Sequence, residues 1–316
     1  MKSTLASLLE AKFALGLFVV LMLITLVVTP NRFAPDNLGT TLGLVAPLIL
    51  AAAAATPVIL AGREGIDISI GPLMGMISVL TVKGLILDLG ISSPLIIVPF
   101  AIAVGAIGGA VNGFLAIVLR IQPIVATLGT YLVLAGIATW YLPSPIGPVP
   151  SWLVSLSEEW SILPLLAGAG LWLAVKSTPL HGHIMTIGGE DRAAYAAGLN
   201  VARVRFLAYV LGGLFAGLAA ISLTALLGSA DAQVGPNYTL LAIAAAALGG
   251  VSLAGGKGGI AGAALGALDI FLIQNLITYL NVSPFFLQIT YGLVLVVAVA
   301  LNSQVIADKL RARRAG

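Results

Sequence analysis

No cysteine occurs in the chain, which excludes a disulfide framework, a thiol nucleophile and a cysteine metal site. Charge is almost as scarce. Only 9% of the 316 residues are Asp, Glu, Lys or Arg, against about 25% in a soluble domain. That shortage excludes a soluble globular enzyme, a disordered chain and a nucleic-acid-binding domain. Histidine is limited to His181 and His183, and two imidazoles with no third His and no Cys do not complete a metal site; a solvated loop explains them. Neither a Gly-x-Ser-x-Gly nor a His-Glu-x-x-His motif is present, so an intramembrane enzyme would lack a nucleophile–base pair. No catalytic residue, metal or cofactor is expected.

What the chain does have is apolar length. Hydrophobic residues make up 59% of it and the mean hydropathy is +1.11. The apolar runs are continuous and do not alternate as strands of a transmembrane barrel must. The reading is an all-α integral membrane protein, one domain over 1–316. At about 20 residues per crossing, dividing the uncharged runs at Pro, Gly and polar clusters gives ten spans. They lie near 13–30, 38–61, 66–87, 94–119, 122–142, 160–175, 203–227, 238–255, 259–280 and 284–302. Asp67, Pro72 and Lys83 interrupt the third, which is either continuous or a broken, re-entrant helix. The first is read as an uncleaved span, because Glu10 and Lys12 precede it and no small-residue cleavage site follows.

With the N-terminus in the cytoplasm, every Lys and Arg except Arg32 and Lys83 falls on the inside, as the positive-inside rule demands. Both termini are then cytoplasmic: a short N-terminus 1–12, an inside loop 176–205 and a basic tail 303–316. Trp140, Trp152 and Trp160 flank an outer Pro-rich segment, where an aromatic belt belongs. Glycines recur four apart at Gly71/Gly75, Gly105/Gly109/Gly113, Gly213/Gly217 and Gly258/Gly262/Gly266, a spacing that lets helix backbones approach closely in lipid.

Polar chemistry is confined to a few places. The run Gly250–Gly258 superficially resembles a phosphate loop, but Val251 and Gly258 stand where the motif needs Gly and Ser or Thr. A tight connection between spans eight and nine is the better reading. Loop 176–205 holds a short helix-forming run, Ala193–Ala197, stopped by Gly198 and preceded by Gly188-Gly189 and the acidic pair Glu190-Asp191. Such a helix either lies at the membrane surface or docks into a soluble partner. Asp67 and Asp269 are carboxylates within apolar spans, and such residues are functional candidates by default; a buried structural role is the alternative. Asp269 lies at the margin of the Gly258/Gly262/Gly266 face, where it would accept hydrogen bonds from a neighbour or stay protonated. Gln274 and Asn275 are neutral hydrogen-bonders suited to a hydroxylated solute or to a neighbouring helix.

These motifs carry a resemblance. Gly65-Ile66-Asp67-Ile68-Ser69-Ile70-Gly71 resembles the Gly-Ile-Asp-Leu-Ser-Val-Gly signature of ribose/monosaccharide-type ABC importer permeases. Asn112-Gly113 followed by Gln122–Thr130, including Thr127 and Gly129, is similar to that family's central segment. Gly188-Gly189-Glu190-Asp191, with Ala194, Ala197, Gly198 and Leu199, resembles its coupling loop. Gly249-Gly250 through Gly255-Gly256-Lys257 is similar to its most characteristic turn, and Gln274-Asn275 falls where the family usually has two Asn. The order of the matches, from about residue 58 to 302, is the family's. Arg63-Glu64, Pro72 and Asp269 depart from it.

The resemblance implies a type II importer permease in the bacterial inner membrane that moves a monosaccharide or related polyol. Its partners would be a second permease subunit, identical or related, cytoplasmic ATPase subunits docked on the helix at 188–199, an extracytoplasmic solute-binding protein and membrane lipid, with no nucleic acid. ATP hydrolysis would belong to the ATPase partner. Asp67, Asn112, Gln274 and Asn275 are the candidates for the translocation pathway. The alternatives are a permease of the same architecture for a branched-chain amino acid, nucleoside or other polar solute, and a proton-coupled secondary transporter using Asp67 and Asp269.

Overall fold

In the computed structural model residues 12–280 are described, and beyond them only residues 286, 289, 292, 293 and 296. The expected tenth span and the tail 303–316 therefore lie outside the described residues, apart from those isolated positions. Among the described residues the fold is helical; a single isolated bridge joins Ile146 to Ala230. The helices are α1 (Lys12–Val28), α2 (Leu38–Leu60), α3 (Ile70–Val79), α4 (Pro94–Gly113), α5 (Pro123–Tyr141) and α6 (Ser151–Ser155). They continue with α7 (Ile162–Lys176), α8 (Pro179–Gly189), α9 (Asp191–Ala196), α10 (Val201–Leu227), α11 (Asn237–Leu248) and α12 (Ile260–Tyr279). Two of them pass without a break into π-helical turns, α3 into Leu80–Asp88 and α4 into Phe114–Val118.

Six helices among the described residues are long and apolar enough to cross a membrane, and α7 with α8, bent by 79°, would make a seventh. Of the two readings of the third span the structure has the continuous one, an uninterrupted helix from Ile70 to Asp88, with Asp67 in the connection before it. At two other places expectation and structure part. The eighth stops early: α11 ends at Leu248 because Gly250 turns left-handed at φ +84. Twelve residues at 1.5 Å each span only about 18 Å, short of the roughly 30 Å hydrocarbon core. The stretch 176–205 is not a loop but mostly helix, α8 and α9 followed by the start of α10.

α2 and α10 form the centre. Of its most apolar window α2 buries 83%, whereas α5 buries 17%. The run Ala51–Ala55 on α2 is buried throughout, since small side chains let other helices press against its backbone. The same logic joins α4 to α10. A methyl group on Gly105 or Gly109 would strike the backbone of Gly213 or Tyr209, and one on Gly213 the carbonyl of Gly105. On the outside, α4, α5 and α7 expose Leu95, Ile107, Leu132, Val133 and Leu166, the arrangement hydrocarbon rewards and water does not.

Candidate functional site

The chain leaving α2 makes an abrupt turn. Gly62, Arg63 and Glu64 are consecutively left-handed, at φ +72, +56 and +59. For a residue with a Cβ this conformation costs about 1–2 kcal/mol. Among the described residues the only other non-glycine of this kind is Arg120 at φ +58, after α4. Beyond the turn, the segment Gly65–Gly71 is fastened to three helices by a buried polar network. Asp67 Oδ1 accepts from the backbone N–H and the hydroxyl of Ser69 at 2.8 and 2.7 Å. Asp67 Oδ2 accepts from Asn112 Nδ2 of α4 at 3.0 Å, and the same amide donates to Ser69 Oγ at 2.7 Å. Asn112 Oδ1 in turn accepts from Thr130 Oγ1 of α5 at 2.7 Å.

Two further threonines hold the backbone itself. Thr127 Oγ1 accepts from the Ile68 N–H at 3.2 Å. Thr239 Oγ1 of α11 accepts from the Gly71 N–H at 3.1 Å and donates to the Ile68 carbonyl at 3.1 Å. Asp67 is 5% exposed and Asn112 1%. Both Asp67 oxygens are satisfied, so this carboxylate specifies geometry where an unpaired one would only destabilise. Gly71 is needed for contact, because a methyl there would meet Gly235 and Thr239; Gly129 faces open space.

The glycine-rich turn after α11 closes a second structure, a backbone junction of three connections. Its Gly256 N–H donates to the carbonyl of Leu60, at the end of α2, at 3.0 Å. A methyl on Gly188 would strike that same carbonyl, one on Gly255 would strike Gly62, and one on Gly256 would strike Gly189. Gly249 packs as tightly against Gly262. Gly250, Gly255 and Gly256 all have positive φ, and Lys257 points outward. The glycines here serve close packing of chain on chain.

Beside this junction sits α9. Gly188 and Gly189 are the last turn of α8 and do not open the next helix; Glu190 is extended and Asp191 begins α9. Gly198, at φ +86, ends it, and its N–H donates to the carbonyl of Tyr195 at 2.9 Å. Ala194 points inward and is 1% exposed, while Tyr195 is 75% exposed; Ala197 is exposed too and Leu199 is half-buried. Asp191 is bound at 3.2 Å by Arg205 of α10 and stands 4.0 Å from Arg63. A cavity of about 1420 Å³ opens next to α9, lined among others by Arg63, Glu64, Arg120, Gln122 and Arg205.

The other predicted pathway residues lie elsewhere. Asn275 Nδ2 donates to Thr29 Oγ1, just past α1, at 3.1 Å, and Gln274 is half-buried beside it on α12. Asp67 and Asn112 are thus brought together, and no hydrogen bond among the described residues joins them to Gln274 or Asn275. Asp269 is fully buried on α12, and among the described residues neither of its oxygens has a hydrogen-bond partner; no bond to it from a neighbouring described helix is formed. The histidines lie on helix α8, with His181 edge-on to Trp172 at 5.2 Å between ring centroids. Arg205, Thr130 and Thr239 are not among the site residues expected from the sequence. Arg205 left one signal, a cation a full turn inside an apolar helix.

This arrangement has relatives. The chain is 34% identical to the ribose import permease protein of Bacillus subtilis (strain 168), over 91% of this chain and 91% of that one. It is 32% identical to the ribose import permease protein of Escherichia coli (strain K12), over 95% and 96%. With the galactose/methyl galactoside import permease protein of Haemophilus influenzae it shares 29% identity, over 78% of this chain and 80% of the relative. No solved structure matches. The family described as "Branched-chain amino acid transport system / permease component" matches residues 37–299, which includes the Asp67 network, the glycine junction and α9. The chain belongs to that permease family.

Proposed function

We propose that this protein is the membrane-spanning subunit of an ABC importer that brings a monosaccharide or related polyol across the bacterial inner membrane. The observation that carries this reading is its identity, over nine-tenths of both chains, to ribose import permeases. The proposal includes ten spans with both termini in the cytoplasm, the eighth made of the short α11 together with the non-helical chain at its ends, and the one-sided distribution of Lys and Arg supports it. It includes a second permease chain, identical or related, surrounded by lipid, and a solute-binding protein that delivers the sugar from outside. ATP is hydrolysed in separate ATPase subunits seated on α9. The exposed side of α9 supports this last point, since Tyr195 stands clear of the bundle and is large enough to anchor a partner.

A hydroxylated solute needs weak, uncharged hydrogen-bonders along its way, because a site that binds tightly does not release. Asn112, Gln274 and Asn275, with Asp67 hydrogen-bonded beside Asn112, are the residues proposed for that task. The test is reconstitution into proteoliposomes with the ATPase and binding protein, followed by uptake of labelled ribose, galactose and leucine. ATP-dependent uptake of a sugar supports the reading. Uptake of leucine alone points to the amino-acid alternative, and uptake abolished by an uncoupler at constant ATP points to a proton-coupled carrier.

A further inference from the structure

α9 is a single short helix, and a push on it is useful only if something carries the movement inward. Arg205, on the second turn of α10, is 8% exposed and touches both sides of that problem. Its Nη2 donates to Asp191 Oδ2 at the start of α9 at 3.2 Å. Its Nε donates to the carbonyl of Ala61, the residue after α2, at 3.3 Å. One guanidinium therefore ties α9, α10 and the α2–α3 connection together. Arg63, in that connection, faces the same Asp191 oxygen at 4.0 Å.

The connection is built to respond. Gly62, Arg63 and Glu64 follow Ala61 directly, and two of these three left-handed residues are not glycine. Such conformations persist only where the surroundings hold them, and they cluster at switch regions. Glu64 Oε2 also accepts, at 3.4 Å, from Gln122 at the start of α5, next to the strained Arg120. Three residues after Glu64 stands Asp67, fixed to Asn112 and through it to Thr130. Hydrogen bonds and covalent chain thus run unbroken from Asp191 through Arg205 and Ala61 to α4 and α5.

We propose that Arg205 is a positioning residue that transmits displacement of α9 to the 61–65 connection, and from there through Asp67 and Asn112 to α4 and α5. The proposal rests on the reading of α9 as the ATPase contact. Arginine suits the task because its planar fork holds a carboxylate and a carbonyl in one fixed geometry, which the point charge of lysine does not.

The assembled importer, with its ATPase and binding protein in proteoliposomes, provides the test. In Arg205→Lys, outside α9, the ATPase should co-purify as in wild type and hydrolysis should persist; Asp191→Asn, on α9 itself, is read from the transport ratio of the complexes that assemble. Solute moved per ATP should fall about fivefold or more, the lower end of ordinary coupling between sites. Arg203→Lys, an exposed change on the same helix, should leave that ratio untouched. If Arg205→Lys does not fold, Asp191→Asn, at a side chain one-third exposed (33%), carries the test alone. An unchanged ratio in Asp191→Asn overturns the proposal. So does loss of the ATPase from the Arg205→Lys complex, which would make the pair a docking element and leave the assignment of α9 standing. The assignment of α9 is checked separately in wild-type background: a photocrosslinker at Tyr195 that captures no ATPase refutes it.

Discussion

At the scale of single residues, two buried side chains of the same class behave in opposite ways. Asp67 has donors for both oxygens, while Asp269 has none among the described residues. Removing a partner from a satisfied network leaves the remaining groups unpaired, at about 1–3 kcal/mol each. Asn112→Leu takes away the one donor to Asp67 Oδ2, while Thr130 keeps the Thr127 carbonyl as acceptor, so the purified protein should melt several degrees lower in a thermal-shift measurement. Asp269 predicts the reverse. With no partner to abandon, Asp269→Leu replaces a buried polar group by one that fits an apolar site. It should hold or raise the melting temperature, and Asp269→Asn should transport normally at neutral pH. A clear loss of stability in Asp269→Leu would reveal a partner that the described residues do not contain. Sequence singled out both carboxylates by their cost in lipid; their different environments depend on helices far apart in the chain.

At the scale of elements, α9 is the piece whose function depends on its ends. Gly198 has φ +86 and open space around its Cβ position, so the cost of a larger residue there is conformational and not steric. Gly198→Val should insert and assemble, yet the strained stop should shift α9 against its partner. The expected result is ATP hydrolysis that continues while uptake falls, read from parallel hydrolysis and flux assays; normal uptake would refute it. The helix was legible in the sequence, as a helix-forming run with a glycine stop. Its start was not, because Gly188-Gly189 looks like an opening and is in fact the tail of α8. Those glycines are there for contact with Leu60 and Gly256, a tertiary demand that local propensity does not express.

At the scale of the whole molecule, the absence of native cysteine makes the pathway proposal directly measurable. Cysteine at Gln274 should react with a small polar thiol reagent, at a rate that changes when binding protein and ATP are added. Cysteine at Asn112, 1% exposed in this structure, should stay inert until the transport cycle opens its surroundings. Reactivity at 112 in the resting state, with none at 274, would reverse their proposed roles. Sequence alone determined that the chain is a helical membrane protein and where most spans lie, because a crossing is a local property of some twenty contiguous residues. It also determined the motifs that mark the family, since their order and spacing are written along the chain. Only the tertiary structure decided which polar groups meet: Asp67 with Asn112, Asn112 with Thr130, Asp191 with Arg205, the glycine turn with Leu60, and Asp269 with none of the described residues. The central helices are apolar on nearly every side and carry no stripe to fix their rotation, so these pairings arise from close packing at glycine and alanine and exist only once the helices are docked.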